Sequence, residues 1–476
     1  MTESREYSNH LYLNGQTLEG GGQLVRIAVG LSALTGRPVS IEHVRGNQPG
    51  KKGLKTAHAA AVKFLAEISG SKMSGVKVGS QSLSFFPQSA RSKCRPFIDL
   101  AQVTVKPEYN INLMTAGSTF LVFQALYPYL LYVGSKAGTP HVRVNITGGT
   151  NVSHSPSYDY ASQVIVPNFA KLGLPPLSII LHKRGWSTGP VDLGAVTFLI
   201  HPLGYEDYEG ASNSNDNPPK TDPWKFPIID LMAYERGNIT HIDVTVLAPD
   251  QPTSDMNELN GSKTTLREHI EQATRQALCH TLRKLDATTF ATSNSSSSDE
   301  NILDQDLTQE APVPVKIHTS EATHHRSHVY ILLVAHTSSG FRIGHEARGT
   351  LEHDHSKRGK SKGKQQSHQK SNERSSEIET AFSGATGMID RCVQGFIKEI
   401  SNKGPDSNGG LKTSDRKPAC LDQLMRDQIV VFEALGDACH ASRRPKVTDI
   451  TRREDERDWS LHTKTAQWVC RQVLGD

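Results

Sequence analysis

The chain is short of cysteine, of aromatic residues and of long apolar runs, and each shortage removes a class of protein. Six cysteines (Cys94, Cys279, Cys392, Cys420, Cys439 and Cys470) are scattered through 476 residues with no CxxC pair and no short ladder. That spacing argues against a zinc ribbon or a disulfide scaffold and for reduced thiols in an intracellular compartment. No apolar stretch approaches the ~20 residues needed to span a bilayer. The opening MTESREYSNH lacks the apolar centre of a signal peptide. Net charge is only +4, so affinity for a polyanion has to come from local clusters of cations. An apolar share of 36% is low and leaves part of the length to loops or disorder. The reading is a soluble intracellular protein with two or three domains.

What the chain does have is glycine at corners. Glu19–Gly20–Gly21–Gly22–Gln23–Leu24–Val25–Arg26 leads into an apolar, helix-like run to Leu34 with Arg26 as its one cation. A lone arginine among Val25, Ile27, Ala28 and Val29 needs an anionic partner, because an unpaired buried charge is costly. Backbone N–H groups at a helix start also favour anions. Two readings fit the stretch: an anion site with Glu19 at its edge, or a Gly-rich turn with Arg26 paired to Glu19. Gly36 and Pro38 stop the helix, and Val39–Val44 alternates as a strand. The loop from Arg45 to Lys55 is basic and free of acids, which suits a polyanion or a solvated surface. A helix carrying His58 and a strand near Leu83–Pro87 come next.

The same order recurs. Thr115–Thr119 opens an apolar helix over 120–132 that contains Gln124, followed by a strand at Val142–Ile146. The Gly148–Asn151 loop, a turn with Pro156, and a helix from Tyr158 to Leu172 complete the second copy. A third copy starts at Arg426–Asp427–Gln428, passes through an extended piece at Lys446–Thr451, and opens its last helix at Ser460–Thr465. Gln23 to His58 is 35 positions, Gln124 to Tyr158 is 34 and Gln428 to His462 is 34. Units of this size and spacing suit a pseudo-threefold α/β core better than a solenoid. Between the second and third copies, Thr240, Ile242, Val244 and Val246 alternate, Leu266–Leu285 reads as an amphipathic helix and His328–Ala335 as a strand. The polar stretch Asn213–Pro223, a Ser-rich stretch at Thr292–Glu300 and a basic tract at His353–Ser375 interrupt that region. The tract Lys357–Lys364 fits a nuclear-import signal, an RNA-touching patch or a solvated loop, and the dense histidines of His318–His355 are a weak case for a metal.

At these motifs the sequence resembles the RNA 3′-terminal phosphate cyclases. The resemblance rests on EGGGQLVR (19–26), the Arg-Gly loop ending in GLK…H (Arg45 to His58) and TAGST…Q (Thr115 to Gln124). It continues in GGTN…P..DY (Gly148 to Tyr160), ERGN (Glu235–Asn238), DQ (Asp427–Gln428) and SLHTKT (460–465). Several spaced motifs in order weigh far more than one Gly-rich loop. The resemblance implies an α/β (α+β) fold, with a large domain of three repeated βαβαββ-type units and a smaller inserted α/β domain. The expected layout is core repeats one and two in residues 1–205 and the small domain in 206–345, disordered at about 292–312. A basic disordered insertion follows in 346–376, and the third repeat in 377–476.

The implied reaction uses ATP. A histidine takes AMP from ATP, passes it to an RNA 3′-phosphate to give an RNA–pp–A end, and the neighbouring 2′-OH then closes a 2′,3′-cyclic phosphate. By position His462 matches the nucleophile, and Ser460, Thr463 and Thr465 supply hydroxyls to orient its ring or bind oxygens. Gln23, Arg26, Arg45, Gln124, Pro156, Leu424, Asp427 and Gln428 fall on nucleotide-contacting positions. Glu19 falls where a Mg2+ or Mn2+ ion would be held, since hard cations prefer carboxylate oxygen. The partner implied is an RNA with a 3′-terminal phosphate, the expected compartment the nucleus (nucleoplasm) with the cytoplasm as a second.

Three departures accompany the match. Leu424 stands where the family usually has an aromatic residue, Gln48 where many members have a second arginine, and Arg184–Pro190 is an eroded Arg-Gly-Gly-Gly segment. The sequence given also stops after the helix of His462, where the family continues into a strand pair whose absence would leave an unpaired sheet edge. The alternatives to an active cyclase are a non-catalytic cyclase-like RNA-binding or ribosomal-RNA processing factor, and an inactive relic. The non-catalytic branch lacks both the histidine and EGGGQ; this chain keeps both, which favours the enzyme.

Overall fold

The computed structural model describes residues 10–89, 96–204, 224–250, 264–291, 311–349, 370–401, 418–441 and 459–475. The chain divides into two compact units, a larger one of 1–187, 191–234 and 423–476 and a smaller one of 188–190 and 235–422.

The larger unit contains the same sequence of elements twice. β1 (Leu11–Asn14), α1 (Gly22–Thr35), β2 (Val39–Glu42), α2 (Thr56–Ser69), β3 (Lys72–Ser74) and β4 (Leu83–Phe86) form the first βαβαββ repeat. β5 (Glu108–Asn112), α3 (Thr119–Val133), β6 (Val142–Gly148), α4 (Tyr158–Tyr160) and α5 (Val166–Lys171), β7 (Leu177–Lys183) and β8 (Gly194–Ile200) form the second. A π turn over Ala161–Ile165 joins α4 to α5. Both sheets have one order, β1-β2-β4-β3 and β5-β6-β8-β7, with the first pair parallel and the others antiparallel. A parallel pair needs a crossover, which α1 and α3 supply. The third copy is represented by α8 (Gln423–His440) and α9 (Leu461–Leu474). Lys446–Thr451, expected to be extended, lies outside the described residues.

Alternation tells which sheet face is covered. Leu13, Val39, Ile41, Leu83 and Phe85 are buried, while their neighbours Tyr12 and Phe86 are exposed. The central helix α1 is buried from Gln23 to Thr35, so it is apolar all round rather than striped. One cluster of aromatic rings surrounds α3. Phe123 stacks on Phe198 of β8 at 4.1 Å, and Tyr127 meets Phe169 of α5 and Phe432 of α8 at 5.7 and 5.6 Å. Phe226 joins the same cluster through Phe97 and Phe432.

Close approach of α8 to the 226–228 segment requires Gly436. A Cβ there would lie 2.1 Å from the Pro227 carbonyl oxygen, and His440 Nε2 lies 3.2 Å from the Phe226 carbonyl oxygen one turn on. The neighbour is backbone and cannot rotate away. Gly436→Ala is therefore expected to destabilise by about 1–3 kcal/mol, read as a lower midpoint in thermal unfolding, despite alanine's better helix propensity.

The smaller unit is built from β9 (Ile239–Pro249), α6 (Leu266–Leu282), β10 (Val315–Thr323), β11 (Val329–Thr337), β12 (Arg342–Gly349) and α7 (Lys370–Ile400), with sheet order β10-β9-β11-β12. Ile242, Val244, Ile331 and Leu333 face a core completed by Ile270, Leu278, Met388, Cys392 and Phe396. The expected boundaries at 206 and 377 are displaced on both sides. Residues 224–234 belong to the larger unit because Phe226 is buried among its rings, and α7 belongs to the smaller one because its apolar stripe from Ala385 to Ile400 covers that unit's sheet. The polar stretch 213–223, the Ser-rich stretch, most of the basic tract and His353 and His355 lie outside the described residues. Among the described residues no helix is long and apolar enough to cross a membrane.

Candidate active site

Each corner of the larger unit places a polar side chain at or near the start of a helix. Each glycine of the first corner has its own reason. Gly20 adopts φ +61, a left-handed conformation that side chains disfavour. A Cβ on Gly21 would lie 2.9 Å from Glu19 Oε1, and one on Gly22 would lie 2.1 Å from His58 Nε2. The turn thus lets the Glu19 carboxylate fold back on its own backbone and lets the His58 ring pack against the start of α1.

Glu19 pairs with His462. One carboxylate oxygen, Oε2, meets His462 Nδ1; the other, Oε1, accepts from Gln48 Nε2 at 3.2 Å, and that amide also donates to the Glu19 carbonyl at 3.0 Å. The Glu19 backbone N–H donates to Thr465 Oγ1 at 3.2 Å. Burial pulls the Glu19 carboxyl upward, but the hydrogen bond and charge of His462, the Gln48 amide and the Arg26 charge outweigh it, and the net shift is down. An ionised carboxylate only accepts, so the proton between them sits on Nδ1 of His462, and in the neutral imidazole the lone pair is then on Nε2.

Asp427 holds the start of α9. Its Oδ1 accepts from Ser460 Oγ at 3.0 Å and from Thr463 Oγ1, and Ser460 Oγ caps the helix by accepting from Thr463 N at 2.9 Å. Burial raises the Asp427 carboxyl above its ordinary range, against the lowering by His462 and the two hydroxyls. The hydroxyls expected to orient the imidazole act one step back: Ser460 and Thr463 bind Asp427, Thr465 binds the Glu19 backbone, and among the described residues Glu19 alone holds the ring.

A second chain of contacts joins α1, α3 and α8. Arg26 Nε donates to Gln124 Oε1 at 2.9 Å, Gln124 Nε2 to Gln428 Oε1 at 2.6 Å, and Gln428 Nε2 to the Leu424 carbonyl at 3.3 Å. The three helices of the three repeats are therefore tied by side chains at corresponding places. Gln23 Nε2 reaches the Asp427 carbonyl at 3.4 Å, which leaves its buried Oε1 without a partner among the described residues. Arg26 is 5% exposed and burial lowers it to about 10, with Glu19 acting in the opposite sense. It stays charged at neutral pH. The turn with an Arg26–Glu19 ion pair is not what forms, since Glu19 is committed to His462.

Two of the expected positions make local bonds. Arg45, at φ +57, donates Nη1 to the Lys51 carbonyl at 2.7 Å and so braces its own loop. Pro156 is buried in the corner before α4, its carbonyl accepting from Ser155 Oγ at 3.2 Å, and no hydrogen bond among the described residues links it to the other site residues. Sequence reasoning marked Gln48 only as a departure from the family's second arginine and His58 only as the end of a motif and a spacing anchor. The role of Gln48 is its reach back from the basic loop to Glu19.

His58 is held neutral. Burial, then the charges of Arg26, Arg45 and Lys55, lower its imidazole to about 3, whereas an unfolded histidine titrates near ~6.5. Below ~6.5 the unfolded chain binds the extra proton, so the stability held in neutral His58 is complete above that pH and is lost as pH falls toward the folded value. The slope is at most about 1.4 kcal/mol per pH unit. Urea midpoints at several pH values between 7 and 4 are expected to fall more steeply for the wild type than for His58→Gln.

Residues 17–476 match the family model described as RNA 3′-terminal phosphate cyclase. The chain belongs to the RNA 3′-terminal phosphate cyclase family. Proteins so named from Methanococcoides burtonii and Thermococcus onnurineus are 34% identical over 190 residues and 37% identical over 175 residues. These alignments cover 40% and 37% of this chain, and 50% and 45% of the relatives. A relative of the same name from Koribacter versatilis is 33% identical over 196 residues, 41% of this chain and 48% of the relative. The chain spans about half the length of the curated relatives it matches. The paired βαβαββ repeats agree with the fold that the family resemblance implies.

The residues present fit the divalent cation and the nucleotide that the resemblance implies. A carboxylate offers more lone pairs than the two hydrogen bonds on Glu19 use, so a hard divalent cation fits there. The orphaned Gln23 oxygen and the buried Arg26 cation are polar groups that a nucleotide would satisfy.

Proposed function

We propose that this chain uses ATP to convert an RNA 3′-terminal phosphate into a 2′,3′-cyclic phosphodiester, with His462 as the carrier of AMP. The observation that supports it is the Glu19–His462 pair at the start of α9. With Nδ1–H held by the carboxylate, the neutral imidazole carries its lone pair on Nε2, the nucleophilic atom. The proposed first step forms an N–P bond from Nε2 to the α-phosphorus of ATP and breaks the bond to the departing pyrophosphate. An RNA 3′-phosphate oxygen then attacks that phosphorus, breaking the N–P bond and giving RNA–pp–A. Attack of the neighbouring 2′-OH on the terminal phosphorus releases AMP and closes the ring.

Glu19 steadies the imidazolium character that develops on His462 as the N–P bond forms. Asp427 fixes the helix start that aims the ring. Arg26, placed by Gln124, offsets phosphate charge as it redistributes. A Mg2+ or Mn2+ ion at Glu19 would supply Lewis-acid stabilisation of the phosphates.

The test incubates the full chain with α-labelled ATP and Mg2+, followed by a 3′-phosphorylated RNA oligomer. The expected result is an acid-labile label on the protein, then RNA ends that resist phosphatase. RNA binding with neither label nor protected ends would overturn the enzyme reading in favour of an RNA-binding factor.

A further inference from the structure

The sheet of the smaller unit carries a second set of side chains that the reading above does not use. β9 and β11 run antiparallel with His241 directly opposite His336, and Asp243, two residues along, shares their face. The alternate residues Ile242, Val244 and Ala335 fill the core, so the His–Asp set lies on the sheet's other face, half-buried. The two imidazole rings are 3.8 Å apart at 35°. His336 Nε2 lies 2.8 Å from Asp243 Oδ2, and one ligand-capable atom from each of the three lies within 4.8 Å of the others. Among the described residues this is the one cluster of its kind.

We propose that His241, Asp243 and His336 form a binding site for a divalent transition-metal ion, with zinc the best fit. Two imidazole nitrogens and a carboxylate oxygen are a borderline donor set, which suits zinc over magnesium or calcium. Zinc–ligand bonds of about 2.0–2.2 Å put tetrahedral neighbours roughly 3.4 Å apart. His336 and Asp243 are already closer than that, and His241 closes the rest by turning its ring. A fourth position stays open to water or another donor.

The surroundings support one ligand directly. Thr240 Oγ1 donates to the His336 carbonyl at 3.1 Å and lies 3.1 Å from His241 Nδ1. With its only hydrogen committed, Thr240 can only accept from His241, which puts the proton on Nδ1 and the lone pair on Nε2. An outer hydrogen bond that fixes a tautomer in this way is a regular companion of metal-ligating histidine. Two cations oppose the site: Lys316 is the register partner of Asp243 and Arg342 that of His336. They make it weaker than a closed four-ligand site and leave its occupancy responsive to metal supply. Bound metal would clasp the two central strands of the sheet.

The test strips the full chain with a chelator and titrates it with Co2+, then Zn2+, in a Glu19→Gln background that removes the carboxylate of the candidate active site. One equivalent of Co2+ is expected to give visible d–d absorption that Zn2+ abolishes, and Zn2+ is expected to raise the thermal midpoint. His241→Ala and His336→Ala should each weaken binding by at least about 10-fold. Asp243→Asn and His336→Gln, which preserve side-chain size, repeat the comparison should an alanine variant unfold. In an otherwise wild-type chain these substitutions should leave label transfer from α-labelled ATP unchanged. Absence of a stoichiometric Co2+ signal, or an identical signal in the folded variants, would overturn the assignment.

Discussion

In His462→Ala, transfer of label from α-labelled ATP to the protein is expected to fall at least about 10³-fold, to background, with the far-ultraviolet spectrum unchanged. The side chain is 35% exposed and makes its one hydrogen bond among the described residues to Glu19, so its removal opens no core cavity. The cap that starts α9 runs through Ser460 and Thr463 instead. Fold and chemistry are thus separable at this position, which makes the substitution a sharp test. Glu19→Gln tests the same pair from the other side. An amide can still hydrogen-bond to the ring but no longer compels the proton onto Nδ1, so labelling should drop by less than in His462→Ala, with the rate limited at the first step. Undiminished label in His462→Ala would assign the nucleophile to another residue, and the role given to the Glu19 contact would fall with it.

The parts of this site legible in the sequence are those that chain geometry alone enforces. A spacing of 34 or 35 positions from Gln23, Gln124 and Gln428 to the next helix anchor in each copy marked these residues as repeat anchors, and the structure links Gln124 to Arg26 and to Gln428. Glycine needs at the first corner were readable as a close approach, but not what approached: His58 and the Glu19 carboxylate are brought in by tertiary contacts. Arg45 looked like a free cation because sequence does not show that its loop curls back on itself through the Lys51 carbonyl. The 460–465 hydroxyls lie beside the histidine as expected, but the bonds they make were not legible, since which oxygen meets which depends on Asp427 arriving from α8 of the same repeat. In the smaller unit, α7 was missed because its apolar stripe begins right after a low-complexity tract, and a stripe identifies a helix without identifying the sheet it covers.

Arg26→Gln is expected to lower label transfer by about 10²–10³-fold, the usual cost of removing one aimed electrostatic group from a reacting phosphate. The same substitution should leave the thermal midpoint close to wild type or higher. Arg26 sits inside a helix whose other positions from Gln23 to Thr35 are also buried, with Val25 and Ile27 beside it. Burial depresses its guanidinium to about 10, and the Glu19 charge only partly compensates. A buried cation so placed is a net cost to folding unless an anion completes it, and Glu19 already serves His462. A glutamine relieves that cost and keeps an N–H donor for Gln124, though on a shorter stem. A purely structural arginine would behave in the opposite way, losing stability and activity together. The pairing of unchanged or increased stability with a large loss of adenylylation, measured on one preparation by thermal melts and α-labelled ATP, separates a cation held for phosphate from one held for the fold. ATP should also raise the wild-type midpoint more than that of Arg26→Gln, because the nucleotide supplies the missing anion only where the cation remains.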